Sequence, residues 1–353
     1  MNYYTLRQMI EKLVAFDTVS RNSNMELIGF VQSYLAAHGV TSRLVPNEDG
    51  SKANLYATIG PMVEGGVVLS GHTDVVPVDG QDWSTDPFCV VEKEGRLYGR
   101  GTSDMKGFIA IALALVPQMV EAKLQKPIHL ALSYDEEVGC IGAPYMIREM
   151  AKTLPKPMAV IIGEPTDMRI VNAHKGIAEF ITTVNGHEGH SSQIDKGVSA
   201  VMVAARLVTF LEEMMAGNRA DASADSPFDP PFTTIHVGTI RGGTAINIIS
   251  RHCEFNWDVR TVPGDTPQQF ADRLRRYCEP IIETMRSVSP NCNIVTEMYS
   301  DAPAMKAESG GAAEHLCKHL TGEEHTGVVS YGTEGGQFQE LQFSTVVCGP
   351  GSI

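Results

Sequence analysis

The chain has 353 residues, 43% of them hydrophobic and 20% charged, with a formal net charge of -14. That mix excludes a disordered chain, the length provides for two domains or one domain with a large insertion, and the acidic balance argues against nucleic acid or an anionic membrane as a partner. Cys89, Cys140, Cys253, Cys278, Cys292, Cys317 and Cys348 are scattered, odd in number and free of any C-x-x-C, which points to free thiols in a reducing, cytoplasmic compartment rather than to disulfides or a thiolate zinc site.

The amino terminus, MNYYTLRQMIEKLVAFDTVS, has acids among its apolar residues, so it reads as a helix capped by Thr5 and running through Ala15, not as a signal peptide. A second amphipathic helix is expected from about Asn24 to His38, with Gly39 as its stop. Short β-rich runs follow at Thr41–Val45, Asn54–Ile59, Val67–Ser70 and Cys89–Glu92, then an apolar helix over Met105–Val120. Strands at Ile128–Ser133 and Met158–Ile162 enclose another helix, and this alternation calls for a mainly parallel sheet covered by helices on both faces. From Asn172 the texture changes. A strand at Ala178–Val184, the loop NGHEGHSS, a helix over Val198–Met215, an exposed Asn218–Pro231 loop, strands at Thr233–Ile240 and His252–Val259, a helix over Pro267–Ser287 and a strand at Asn293–Tyr299 make a two-layer α+β module. The chain ends in the apolar strand Phe343–Cys348. The expected organisation is an α/β domain of residues 1–171 and 300–353 carrying an inserted α+β domain of residues 172–299. No run reaches membrane-spanning length.

The chemistry gathers where predicted strands end. In VVLSGHTDVVP, Val67–Pro77, the apolar run stops at Gly71 and delivers His72 and Asp74 to one face of the extended chain. They would make either an ordinary hydrogen-bonded turn or a ligand with its orienting partner. Further acids lie at Asp104 in GRGTSDMKG, Asp135, Glu136 and Glu137 in SYDEEVG, and Glu164 in IIGEP. Each has a plainer reading, a charge run on a loop for the three consecutive acids and solvated charges for Arg100 and Lys106. Like charges collected at one sheet edge repel and lose solvation unless a cation gathers them, and His with carboxylates but no Cys suits a hydrolytic zinc, cobalt or manganese centre.

In order and spacing, SGHTDVVPVDGQDW, YGRGTSDMKGF, SYDEEVGC, GEPT, NGHEGHSS and CGPGS resemble the dinuclear metal-dependent aminoacylase and deacylase family, which also contains succinyl-diaminopimelate desuccinylase and the glutamate-releasing carboxypeptidases. The resemblance spans essentially the whole chain. It implies a zinc-peptidase-like catalytic domain with an inserted dimerisation or lid domain, two divalent metal ions (zinc, or cobalt), a homodimer, and hydrolysis of the amide of a small N-acyl amino acid. It further implies that His72 binds one metal, Asp104 bridges two, Glu137 binds the second and Glu164 the first. Glu136 would be the general base and Asp74 the partner of His72, with a non-proline cis peptide at Asp104–Met105. In the inserted domain, His190 would reach across a dimer to stabilise an oxyanion, with His187 as its neighbouring alternative. Arg260 and Asn247 would hold the substrate carboxylate. The rival of another class is a catalytically silent dimeric binding protein.

One departure accompanies the resemblance. The family carries a His shortly after CGPGS that completes the metal pair, followed by a final helix, whereas this sequence is written to Ile353. Four protein ligands of the five then remain, and weak binding of the second metal is the expectation for the chain as written.

Overall fold

The computed structural model describes residues 3–352. Helix α1 (Leu6–Val14) opens with a reciprocal cap. The Gln8 amide donates to Thr5 Oγ1 at 3.3 Å and the Thr5 amide donates to Gln8 Oε1 at 2.9 Å, which satisfies two amides that the first helical turn leaves without partners. Helix α2 (Met25–Ala37) follows and ends at Gly39, whose φ of +75° is the left-handed stop expected there. Then come β1 (Ser42–Pro46), β2 (Ala53–Ile59) and β3 (Val67–His72).

The predicted Cys89–Glu92 strand is instead one arm of a two-stranded hairpin, β4 (Val91–Lys93) and β5 (Arg96–Tyr98), turning on Glu94 and Gly95, both at positive φ. It does not join the large sheet. The predicted Met105–Val120 helix is two helices, α3 (Lys106–Ala114) and α4 (Val116–Glu121), because Pro117 lacks the amide that would continue the ladder. Strand β6 (Ile128–Ser133), helix α5 (Ala143–Thr153), β7 (Ala159–Ile162) and β8 (Ile170–His174) complete this passage. After the second unit, given below, α8 (Ala312–Thr321), β15 (Thr326–Val329), α9 (Gly335–Glu340) and β16 (Thr345–Val347) return to the same sheet.

That sheet has eight strands in the order β1-β2-β6-β3-β7-β16-β8-β15. Its centre, β6-β3-β7-β16, is parallel, and antiparallel pairs β1-β2, β2-β6 and β16-β8 flank it. The parallel centre brings the carboxyl ends of β3, β6 and β7 to one edge. Helices cover both faces, as strands buried on both sides require. One core joins Met9 and Leu13 of α1, Leu27 and Val31 of α2 and Ile109 of α3 to Leu130 and Leu132 of β6, and another joins Ile161 and Val346 to Cys317 of α8. Of the seven free cysteines Cys89 alone is exposed.

Two glycines allow the closest approach at the sheet edge. A Cβ on Gly163 would lie 2.1 Å from the Phe108 ring, and one on Gly349 would lie 2.2 Å from the Gly163 carbonyl oxygen, so α3 and the segment after β16 both press on the backbone just before Glu164.

By contacts the chain forms two compact units. The first comprises residues up to Ala173, Met305–Val328 and those from Thr333 onward, and the second comprises His174–Ala304 with Val329–Gly332. In the second, β9 (Gly176–Asn185), β10 (Gly189–His190), α6 (Ala200–Ala220), β11 (Thr234–Gly242), β12 (Ile248–Ile249), β13 (His252–Thr261), α7 (Pro267–Val288) and β14 (Asn293–Ala302) follow in order. The main sheet, β11-β13-β9-β14, is antiparallel throughout. Alternate residues of β9 and β13, among them Phe180, Phe255 and Trp257, face buried residues of α6 and α7 such as Leu207 and Leu274, which is the two-layer arrangement. Trp257 stacks on Phe180 with ring centroids 4.2 Å apart and donates its Nε1–H to Thr182 Oγ1 at 3.0 Å. No helix among the described residues is long and apolar enough to cross a membrane.

Two outcomes follow for stability. Gly163→Ala should lower the melting temperature by several degrees, since the added Cβ would overlap the Phe108 ring and force α3 or the β7 backbone to shift, and an unchanged melting temperature would contradict the contact. Burial pushes His129 and His174 each down to about 4, so both stay neutral when folded while the unfolded chain protonates them below its usual value near 6.5. Their contribution is therefore complete above that pH and is lost as pH falls toward 4, on the order of 1 kcal/mol each at pH 5. Thermal melts of the wild type and of His129→Leu at pH 7 and pH 5 should show a smaller acid-induced drop in the variant.

Candidate metal centre

His72 closes β3 and is buried. Its Nδ1–H donates to the backbone carbonyl of Asp74 at 2.9 Å, and the Asp74 carboxylate lies 3.6 Å from the same nitrogen. The imidazole is thus oriented first by the backbone of Asp74 rather than by its side chain. With Nδ1 donating, Nε2 of the neutral ring presents a lone pair. It points at oxygen: Asp104 Oδ1 at 2.9 Å, Glu164 Oε1 at 3.5 Å and Glu136 Oε2 at 4.0 Å. Lone pairs facing one another require a proton or a cation between them.

The carboxylates arrive from separate elements. Glu164 follows β7, and the adjoining Glu136 and Glu137 lie in the turn after β6. Asp104 does not end a strand of the large sheet. It sits in the turn that leads into α3, and its peptide bond to Met105 is cis, as the resemblance implies. The Asp74 carboxylate fixes the Glu136–Glu137 turn by accepting both backbone amides, at 3.1 and 3.3 Å, and it also accepts from Ser20 Oγ at 2.7 Å. Because both glutamates leave a turn rather than a strand, they enter the same region instead of opposite faces.

Two groups of donor atoms result, each within 4.8 Å internally: His72, Glu136 and Glu164, and His72, Asp104 and Glu137. Their titration registers the crowding. Burial first, and neighbouring carboxylates after it, push Glu136 well above the usual carboxylate range, Glu137 up to about 7 and Glu164 upward. Burial opposes a charge on His72, but the charge of Glu164 and the bonds to Asp104 and Asp74 outweigh it and lift the imidazole well above its ordinary value. Asp74 and Asp104 are pushed up by burial but held low overall by His72.

A divalent cation fits this donor set. Glu164 Oε1 is buried and has no hydrogen-bond partner among the described residues. The Nε2 lone pair faces the same space, and hard carboxylate oxygens with one imidazole are the ligands such ions take. A cation there would replace the protons that the cluster otherwise takes up.

Several contributors escaped sequence reasoning. Ser20 has no motif of its own, although it lies beside the Val19–Val75 bridge that makes it a neighbour of Asp74. Glu334, at the start of α9, is buried and accepts from the hydroxyls of Ser70 at 3.2 Å and Ser133, and burial pushes it up to about 7. The phrase YGTEGGQFQ was its only sequence signal. Asp135 pairs with Lys52 and stays out of the donor groups. Lys106 is buried rather than solvated, donates its Nζ–H to the Phe16 carbonyl at 2.8 Å and is lowered by burial to about 7. Arg100 is bonded to Gln81 Oε1 at 2.7 Å and lies over the Trp83 ring.

The remaining predicted residues belong to the second unit. His190 pairs with Ile248 across β10 and β12, and its Nδ1 accepts the Ser192 amide at 3.2 Å, which assigns the proton to Nε2. Asn247 adjoins it, its carbonyl accepting the Ser191 amide at 3.0 Å. His187 is held in a backbone bridge with Val198. Arg260 is elsewhere. It lies on the opposite sheet face from the helices, 3.6 Å from Asp258, and eight residues along β13 from His252, roughly 27 Å at the rise of a strand. The structure brings His190 and Asn247 together at one end of β13 and does not bring Arg260 to them.

Known proteins resemble this chain along nearly its whole length. Acetylornithine deacetylase of Proteus mirabilis (strain HI4320) is 35% identical over 98% of this chain and 88% of its own length. Acetylornithine deacetylase of Myxococcus xanthus is 36% identical over 99% of this chain and 90% of its own. Among solved structures, the M20 family metallo-carboxypeptidase Sso-CP2 from Sulfolobus solfataricus superposes with a TM-score of 0.74 at 17% identity, over 98% of this chain and 91% of that one, which shows a common fold. Residues 68–353, the span that supplies every donor atom of both groups, match the peptidase family M20/M25/M40, and the chain belongs to that family.

Proposed function

We propose that the chain is an acetylornithine deacetylase, hydrolysing the acetamide of N2-acetyl-L-ornithine to L-ornithine and acetate in arginine biosynthesis, in the cytoplasm and as a homodimer. Supporting the substrate is the name shared by relatives a third or more identical along nearly the whole chain. Supporting the chemistry is one observation above the others, the convergence of His72, Asp104, Glu136, Glu137 and Glu164 within two overlapping donor groups. Membership of the family carries dependence on a pair of metal ions, here assigned to zinc or cobalt.

In this reading His72 and Glu164 would hold one ion and Glu137 the other, with Asp104 as a ligand shared by the pair. When bound, such ions polarise the scissile carbonyl and make water a competent nucleophile near neutral pH. Glu136 takes the proton from the attacking water on its carboxylate and returns it to the departing amine. Asp74 orients His72 through its carbonyl and keeps Glu136 beside Glu137 through their amides. Arg260 binds the substrate carboxylate in bidentate fashion. The family resemblance makes His190 the oxyanion donor, reaching across the dimer with Asn247 beside it, and its separation from Arg260 along β13, too long for a substrate of about ten heavy atoms, is consistent with the two residues serving different copies. The inserted unit therefore serves the pairing of two copies.

Three measurements test this reading. Glu136→Gln should lower kcat by on the order of a thousandfold while leaving bound metal near the wild-type level, and Glu137→Ala should lose metal; equal metal loss in both variants would erase the division of labour. With purified protein, kcat/KM for N2-acetyl-L-ornithine should exceed that for N-succinyl-diaminopimelate and for N-acetylcitrulline, and a preference for either competitor reassigns the substrate. Mixing His190→Ala with Arg260→Ala, each inactive alone, should restore part of the activity, because a mixed dimer holds one intact pair; no recovery with confirmed subunit exchange contradicts the shared site.

A further inference from the structure

We propose that Cys140 is the positioning residue of Glu136: its thiol holds one carboxylate oxygen so that the other faces the donor groups. The inference rests on Glu136 being the proton carrier. Cys140 Sγ lies 3.3 Å from Glu136 Oε1, while Oε2 lies 4.0 Å from His72 Nε2, so the carboxylate divides its oxygens between the thiol and the site. A glutamate's terminal torsion is soft and roughly twofold, and a donor on one oxygen is what selects a plane for it.

The backbone that carries the thiol is held from two directions. It closes a tight turn, with the amides of Cys140 and Gly139 donating to the Glu136 carbonyl at 2.9 and 3.0 Å. Its carbonyl accepts from Gln337 Nε2 at 2.9 Å, in a buried bond from α9. The first residue before that helix, Glu334, accepts from Ser70 of β3 and Ser133 of β6, so α9 references Cys140 to the strand ends beside His72 and Glu136. Cys140 also keeps a φ of +55°, a conformation in which glycine would be easier.

A thiol suits the task better than a cationic or amide donor. It is a weak donor, so it orients the carboxylate while stabilising its charge less than a cationic or amide donor would. Burial, with Glu136 alongside, pushes the thiol well above its ordinary range and keeps it protonated.

The test compares the metal-loaded Cys140→Ala, Cys140→Ser and Glu136→Gln enzymes with the wild type. Cys140→Ala should lower kcat roughly tenfold with KM and bound metal unchanged, and Cys140→Ser, which keeps a donor, should recover to within about twofold of the wild type. Should Cys140→Ala not fold, Cys140→Gly removes the thiol at a φ that glycine accepts and carries the same expectation. Wild-type kcat in Cys140→Ala, an equal loss in Cys140→Ser, or a loss that follows metal content overturns the proposal. If Glu136→Gln keeps its turnover, the role of Glu136 fails instead. If Glu136→Gln is inactive and Cys140→Ala is not impaired, only the positioning role falls.

Discussion

Mutual repulsion among five carboxylates around one imidazole is the constraint to which the first unit answers. Asp74, Asp104, Glu136, Glu137 and Glu164 gather near the carboxyl edge of a parallel sheet, where burial of Asp74 and Glu164 and half-burial of the others remove much of the water that would screen them. Without a counter-charge the cluster takes up protons: burial, and neighbouring carboxylates after it, raise Glu137 to about 7, and the charge of Glu164 lifts His72 against its burial. The folded chain holds this unfavourable arrangement through contacts behind it: Phe108 against Gly163, Ser20 and two backbone amides on Asp74, and α9 across the ends of β3 and β6. Stability is spent to keep ligands apart by fixed distances before any cation arrives.

Much of this was legible in the sequence because each ligand comes with a local signal. His72 follows a β-branched run that can only be a buried strand, Glu164 follows another, and the alternation of strands and helices dictates the sheet that aligns their ends. The two layers of the second unit were readable as well, since polar-apolar alternation in β9 and β13 and the apolar stripes of α6 and α7 demand them. Local punctuation misled in two places. Cys89–Glu92 has strand composition but turns back on itself at Glu94–Gly95, and the apolar stretch from Met105 hides a proline that divides it.

The supporting contacts were not legible, for a physical reason. Ser20 is 54 residues from Asp74, and Glu334 is 264 from Ser70, so nothing in either one's neighbourhood reports the partner. Hydroxyls and buried acids of this kind are recognisable only once tertiary structure has set the distance. Likewise, the separation of Arg260 from His190 along β13 follows from strand register, which composition does not encode.

The double use of Asp74 has a consequence for how substitutions are interpreted. Its carbonyl orients the imidazole, and its carboxylate anchors the amides of the two glutamates. Asparagine in its place would keep one acceptor oxygen and turn an NH2 toward an amide that already donates. The backbone around Glu136 would shift at the same time as the field on His72 changed. Charge and shape are therefore inseparable at this position, and a rate lost by Asp74→Asn could not be ascribed to imidazole polarisation alone.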